Sequence, residues 1–303
     1  MAPVVSRRHI WIHLMLYPGH TLPTAAAPVL VGVGLAAHDG VFALWPMLAA
    51  FVCSWMVHVG GVFVDVYQLV SRWPEVREHP ELNDAVASGA LRLPTLKLAA
   101  IAWFVGALVP GIYLFQVVGP PAIWLGILGI AAAAWYAAGP RSMAELGLAD
   151  PVFFVMFGVV AVAATYYVQA VAMHAAQPLP LAAFVVGIPM AAMIVNVLVI
   201  DDLRDVEFDK VKGWRTTPVR HGVAGSRYLH LALTTVGYVG PMVLAWYRGP
   251  WLLLPLITLP FGIAAERAVW TAPRREELIP WTPRSAFLSM IHAGLCGLGL
   301  ALA

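Results

Sequence analysis

Asp202, Asp205 and Asp209 stand at i, i+3 and i+7, directly after the apolar run 181–200. If the helix of that run continues through them, the three carboxylates share one face. They repel one another there unless a cation lies between them. Hard oxygen donors without His or Cys suit Mg²⁺, which keeps several waters and binds through one or two carboxylates plus substrate phosphates. Lys210, Lys212, Arg215 and Arg220 follow at once, so one stretch offers metal ligands and cationic contacts for a diphosphate. The alternative is a solvated charged connection between two membrane helices; carboxylates at helical spacing are more ordered than such a connection requires.

A second ionisable stripe precedes it. His58, Gly61 and Asp65 also fall at i, i+3 and i+7, so one face of an otherwise apolar segment is polar and small. An ionisable residue so near the hydrocarbon region is a functional candidate that faces a bundle interior; Gly60 and Gly61 also suit close helix packing. Glu78, Glu81 and Asp84 follow in a charged stretch that reads either as a lid over a site or as inert surface. Tyr166, Tyr167 and Asn196 are candidates to line a pocket, where aromatic faces can hold an apolar chain or a carbocation, although core packing is the ordinary role of such tyrosines. Asp150 before Pro151 reads as a helix N-cap.

The elements that must position these groups follow from composition. With 303 residues, 61% hydrophobic and 11% charged, and a mean hydropathy of +0.80, the chain lies outside the range of soluble globular domains. Its long apolar runs lack the alternation of an outer-membrane barrel, so the expected fold is an all-α polytopic membrane protein. Nine spans are predicted near 11–37, 41–64, 93–117, 119–138, 150–173, 179–200, 227–247, 249–271 and 284–302. They form one domain over 1–303, with loops 66–92 and 201–226 over the site. Arg7, Arg8 and His9 before the first run look like a secretory leader, but no small-residue cleavage site follows. Tyr17-Pro18-Gly19-His20 interrupts that run and predicts a kink, with His20 either facing a cavity or merely marking the bend.

Charge then sets the orientation. Of the 18 Lys and Arg residues only Arg248 falls on the side opposite the N-terminus, and of the 16 Asp and Glu residues only Asp39 does. The N-terminus and the long loops are therefore predicted to be cytoplasmic, and all candidate chemistry faces that compartment. Cys53 and Cys296 sit inside apolar runs and read as core packing. The sequence shows no nucleotide-binding loop, nucleophile elbow, metal-spaced His or Cys cluster, or nucleic-acid signature, so no nucleic-acid partner is expected.

The stretch from Asp201 to Gly222 resembles the second aspartate-rich motif of the UbiA superfamily of intramembrane prenyltransferases. Within that superfamily it resembles most the branch that prenylates 1,4-dihydroxy-2-naphthoate in menaquinone synthesis. Tyr136, Gly139 and Pro140 with Gly147, Asp150, Phe154, Phe157 and Gly158 are similar to another segment of that branch, as is Thr21-Leu22-Pro23 with Pro28 and Gly32. The resemblance implies nine helices around a central cavity open sideways to the bilayer, in a bacterial inner membrane. It implies Mg²⁺ held by Asp65, Asp202, Asp205 and Asp209, and an isoprenyl diphosphate held by Lys212, Arg215 and Arg141. Tyr136 of the second segment, with the pocket candidates Asn196 and Tyr166, completes the expected substrate contacts. The implied reaction is ionisation of the diphosphate, attack by a small aromatic acceptor such as a naphthoate, and loss of a proton.

The chain departs from the family pattern in places. Aligned on Asp65, the first motif N-D-x-x-D-x-x-x-D reads Gly61, Val62, Asp65 and Leu69, and the lysine of the second motif's G-K-x-T is Trp214. Three outcomes stay open: Asp65 with Gln68, Glu78, Glu81 or Asp84 rebuilds a site; one metal suffices; or the protein only binds or transports a lipid diphosphate. A terpene cyclase on the same fold, needing no acceptor, is a further reading.

Overall fold

The structure is a computed structural model that describes Trp11, Leu14, residues 21–272 and residues 274–303; the predicted kink at 17–20, with His20, and the N-terminal Arg7 and Arg8 lie outside the described residues. Regular structure among the described residues is all helical. Seven helices are long and apolar enough to cross a membrane: Leu44–Arg72, Leu93–Val118, Ala149–Ala172, Leu181–Lys212, Thr217–Arg248, Pro250–Thr271 and Arg275–Leu302. Two shorter apolar helices, Leu22–His38 and Pro120–Trp135, fall on the first and fourth predicted runs. Among the described residues, then, seven helices rather than nine meet the length of a span.

The helices run further into the charged segments than predicted. Residues 66–72 complete the Leu44–Arg72 helix, and residues 201–212 complete Gly187–Lys212, so neither stretch is loop. The physical reason lies in the charges themselves. Asp201 and Arg204 pair at 2.7 Å, Glu207 and Lys210 at 2.7 Å, and Asp209 and Lys212 at 2.9 Å, each at i,i+3 along the extension. Gly213 then stops the helix in the left-handed region at φ 74°, where its N–H and that of Trp214 donate to the carbonyls of Lys210 and Asp209. A further break occurs at Gly222, φ 75°, inside Thr217–Arg248. Asp150 lies in the first turn of a helix that begins at Ala149 rather than capping it, and its carboxylate accepts a hydrogen bond from Thr217.

Gly187–Lys212 is the axis of the molecule. Every residue from Pro189 to Ile200 is buried, as a segment apolar on all sides must be when other helices surround it. Small residues set how closely neighbours approach. A Cβ added to Gly158, in the π-helical turn Phe153–Val160, would lie 2.2 Å from the Ala191 side chain. Another added to Gly34 would lie 2.2 Å from the Gly297 carbonyl oxygen, so the Leu22–His38 and Trp281–Leu302 helices meet backbone to backbone. At the end of the bundle away from the aspartates, Trp246 and Tyr247 are 87% and 78% exposed beside Arg248. Amphipathic rings of this kind anchor a helix end at a membrane surface.

Candidate functional site

The central helix and the Leu44–Arg72 helix face each other across a cavity of about 650 Å³. Its charged end is lined by Asp65, Glu78, Asp202, Asp205, Asp209 and Lys212, so the two predicted stripes do converge. The remainder is apolar, with Val57, Leu114, Phe157 and Ile194 among its walls. On one flank the lining residues Ile112 and Ile127 are 58% and 52% exposed. On the same flank Gly126 and Gly129 line the cavity and would accept a Cβ without meeting another atom. The chemistry is thus confined to one end of an apolar chamber.

The carboxylates fall into two classes. Asp205 accepts at one oxygen from Arg204 and at the other from Arg275 Nε at 2.9 Å. Arg204 also reaches Asp201 at 2.7 Å and donates to Thr282 Oγ1 at 2.9 Å, and Thr282 in turn donates to Asp201. Asp209 is similarly engaged, by Lys212 at 2.9 Å and by the Thr216 hydroxyl at 3.0 Å. Lys212 closes the network on Glu78 at 2.6 Å, while Arg275 Nη2 donates to the Glu78 carbonyl at 3.0 Å. Asp202 differs: it is 4% exposed, and its Oδ2 has no hydrogen-bond partner among the described residues. Asp65 makes no ion pair among the described residues.

This division bears on whether Mg²⁺ fits. Among the described residues, no three His, Cys, Asp or Glu side chains converge closely enough to hold a metal ion by themselves. Asp202 and Asp65, however, face the same cavity and form no ion pair with a protein cation among the described residues. One or two hard carboxylates, with diphosphate oxygens and water completing the shell, are what Mg²⁺ requires. The donor set therefore fits a metal that arrives with its substrate, and does not fit a closed all-protein cage.

An aromatic corner adjoins the charged end. Trp214, which stands where the family pattern has lysine, lies with its ring centroid 3.7 Å from Lys212 Nζ, 5.9 Å from the Trp73 ring and 6.0 Å from the Tyr136 ring. Tyr136 in turn packs on Phe153 at 5.4 Å. Tyr136 and Lys212 thus line the cavity beside the aspartates.

Other predicted contacts lie elsewhere. Arg141 and Arg215 are exposed and outside the cavity lining; the Arg141 carbonyl accepts from Trp135 Nε1 at 2.8 Å, and the Arg215 N–H donates to the Ala144 carbonyl at 2.8 Å. Asn196 faces away, its amide 2.8 Å from Thr234 Oγ1 in a separate small polar pocket with His230 and Tyr238. Tyr166 donates to Asp39 at 2.8 Å, at the opposite end of the bundle from the aspartates. Of the predicted lid residues, only Glu78 enters the site; Asp84 is exposed and paired with Arg77 at 2.8 Å. Arg275 is the participant that sequence spacing missed, because 70 residues separate it from Asp205 and no local pattern links them.

Comparison with known proteins agrees with this geometry. The family model described as "UbiA prenyltransferase family" matches residues 25–291. A curated relative, the 1,4-dihydroxy-2-naphthoate octaprenyltransferase of Mycobacterium leprae, is 29% identical over 263 residues, covering 86% of each chain. Among solved structures, a UbiA homologue from Aeropyrum pernix superposes with a TM-score of 0.65 at 14% identity, covering 92% of this chain and 97% of that one. A UbiA homologue from Archaeoglobus fulgidus bound to GPP and Mg²⁺ gives 0.52 at 16% identity, covering 93% and 99%. A family match over most of the chain, on a helical bundle whose aspartates meet at one end of an apolar cavity, makes this protein a member of the UbiA prenyltransferase family.

Proposed function

We propose that the protein is a membrane-bound prenyltransferase that moves an isoprenyl group from an isoprenyl diphosphate to a small aromatic acceptor of the naphthoate or quinone-precursor class. The observation that carries this reading is the pairing of an apolar cavity with Asp202 and Asp65, two carboxylates at its charged end that form no ion pair among the described residues. The relatives' activity on 1,4-dihydroxy-2-naphthoate supports the acceptor class, and the Archaeoglobus homologue with GPP and Mg²⁺ supports the donor and metal.

In this reading Asp202 and Asp65 hold Mg²⁺, which when bound neutralises charge on the diphosphate leaving group. Lys212, with Arg204 behind it, supplies fixed positive charge at the same end. The apolar walls take the isoprenyl chain and keep water from the allylic cation. Tyr136 and Trp214 present aromatic faces beside it. Asp205 and Asp209 hold the cations in register, and they become metal ligands only if those cations move to the diphosphate. Nine spans, a cytoplasmic N-terminus and a site facing the cytoplasm of a bacterial inner membrane belong to the same proposal. The distribution of Lys and Arg supports them, as do the two short apolar helices on the first and fourth runs.

The test uses purified protein in detergent with geranyl, farnesyl and geranylgeranyl diphosphates, Mg²⁺ and 1,4-dihydroxy-2-naphthoate, following diphosphate and prenylated product. Mg²⁺-dependent release that needs the acceptor is the expected result. Release without any acceptor would assign a terpene cyclase instead, and no release from any donor would leave a lipid-diphosphate binding protein.

A further inference from the structure

Below the carboxylates, a polar notch interrupts the apolar wall of the cavity. His58 lines it from the Leu44–Arg72 helix, with Nε2 3.5 Å from Oγ1 of Thr24, which lines it from Leu22–His38. Ser54, one turn from His58, lines the same wall and donates to the Ala25 carbonyl at 3.5 Å. Both contacts are at the long end of the hydrogen-bond range, so they tie the two helices only weakly. Thr165, across the chamber, turns its hydroxyl back onto the Ala161 carbonyl at 2.8 Å, so the notch belongs to the His58 side. An imidazole at such a depth is costly in an apolar wall and marks a function by default.

Spacing and chemistry together say which function. His58 precedes Asp65 by seven residues on one face of one helix, so it lies about 10 Å deeper in the cavity. Gly61, between them on the same stripe, lines the cavity without placing a side chain in that interval. A diphosphate held at Asp65 and Asp202 turns its isoprenyl C1 inward, and an acceptor carbon in position to attack lies about 3–3.5 Å from C1. That depth puts the notch level with the acceptor ring, below the metal and its phosphates. The isoprenyl chain is hydrocarbon, so at this level only substituents of the acceptor ring can answer an imidazole and a hydroxyl. A ring carboxylate matches poorly, because a buried anion needs a cation, and among the described lining residues the Lys and Arg are Lys212 and Arg204, on the segment that carries the aspartates. A ring hydroxyl matches well: it both gives and accepts a hydrogen bond, and so does the imidazole–hydroxyl pair. In 1,4-dihydroxy-2-naphthoate the 1-hydroxyl is bonded to the adjacent carboxylate, whereas the 4-hydroxyl has no internal partner.

We propose that His58 and Thr24 select the acceptor by hydrogen-bonding its 4-hydroxyl, the ring hydroxyl remote from the carboxylate; the proposal rests on the transferase reading above. The contact fixes the ring from the side opposite the phosphates and sets which aromatic compounds the cavity admits. It makes no demand on the donor, whose diphosphate is held about 10 Å away at the aspartates.

The experiment measures acceptor binding to wild type, His58→Phe, Thr24→Val and His58→Gln in detergent, each saturated with Mg²⁺ and the non-ionising donor analogue geranyl S-thiolodiphosphate. The acceptors are 1,4-dihydroxy-2-naphthoate and 1-hydroxy-2-naphthoate, which differ only in the 4-hydroxyl. Wild type should prefer the dihydroxy compound about 10–100-fold in Kd. His58→Phe and Thr24→Val should each lose most of that preference by weakening the dihydroxy compound alone, while the donor analogue binds as before. His58→Gln keeps hydrogen-bonding atoms and should retain part of it. A role confined to tying two helices would lower thermal stability and leave the preference intact, which overturns the proposal. Equal affinity of wild type for the two acceptors, or a loss of both acceptors together in the variants, would also overturn it. Wild-type protein that forms no prenylated product from geranyl diphosphate and 1,4-dihydroxy-2-naphthoate would overturn the transferase reading itself, and this role with it.

Discussion

Asp205 and Asp202 lie one helical turn apart on the same face, 5% and 4% exposed, yet their surroundings differ in kind. Asp205 is enclosed by two guanidinium groups, one from its own helix and one from the segment Arg275–Leu278. Asp202 has an oxygen with no hydrogen-bonding partner, on the wall of the cavity. Residue type and spacing treat the two as equivalent. What separates them is which cations the rest of the fold delivers, and that decides which carboxylate holds the structure together and which can take a new ligand.

The largest effect expected from breaking this contrast is on stability at Asp205. Asp205→Asn leaves Arg204 and Arg275 without their shared counter-charge, at a cost of about 3–5 kcal/mol for a buried pair that loses one partner. Thermal unfolding in detergent measures it, and the double variant Asp205→Asn with Arg275→Gln should recover part of the loss. Asp202→Asn should behave in the opposite sense. Turnover falls on the order of 10²–10³-fold, while the unfolding temperature holds or rises, because a buried charge without a partner has been removed. If the two variants lose stability equally, the division of the carboxylates is wrong.

Smaller effects sharpen it. Glu78→Gln removes one of the two carboxylates on Lys212, at about 2 kcal/mol. It also frees the ammonium for the diphosphate, so the KM for the donor should fall. A rise would mean that Glu78 itself is a metal ligand and that the first motif has been rebuilt from the 73–79 connector. The mildest expectation concerns the opposite end of the bundle. Tyr166→Phe loses only the hydrogen bond to Asp39, about 1 kcal/mol in thermal unfolding.

These residues also show how far the sequence could be read. The i, i+3, i+7 spacing brought Asp202, Asp205 and Asp209 onto one face because the helix does continue through Lys212, and the same rule aligned His58 with Asp65. Periodicity describes one helix at a time. The clasp of Arg275 on Asp205 and of Lys212 on Glu78 joins segments 70 and 134 residues apart, and nothing local announces it. Asn196 and Tyr166 failed as cavity contacts for a related reason: a polar residue in a membrane helix must face some partner, and for these two the partners are Thr234 and Asp39. The fourth predicted run, 119–138, starts where Pro120 and Pro121 open the Pro120–Trp135 helix, and the first ends within a residue of His38.

The contact of Gly34 with Gly297 bears on the order in which such a bundle is put together. It joins helices from opposite ends of the described chain, so a ribosome feeding the chain into a membrane in order must leave this flank of the Leu22–His38 helix uncovered until the Trp281–Leu302 helix arrives. Until then lipid tails are the available cover for that flank. The close approach comes only with the Trp281–Leu302 helix and depends on two residues that have no side chain at all.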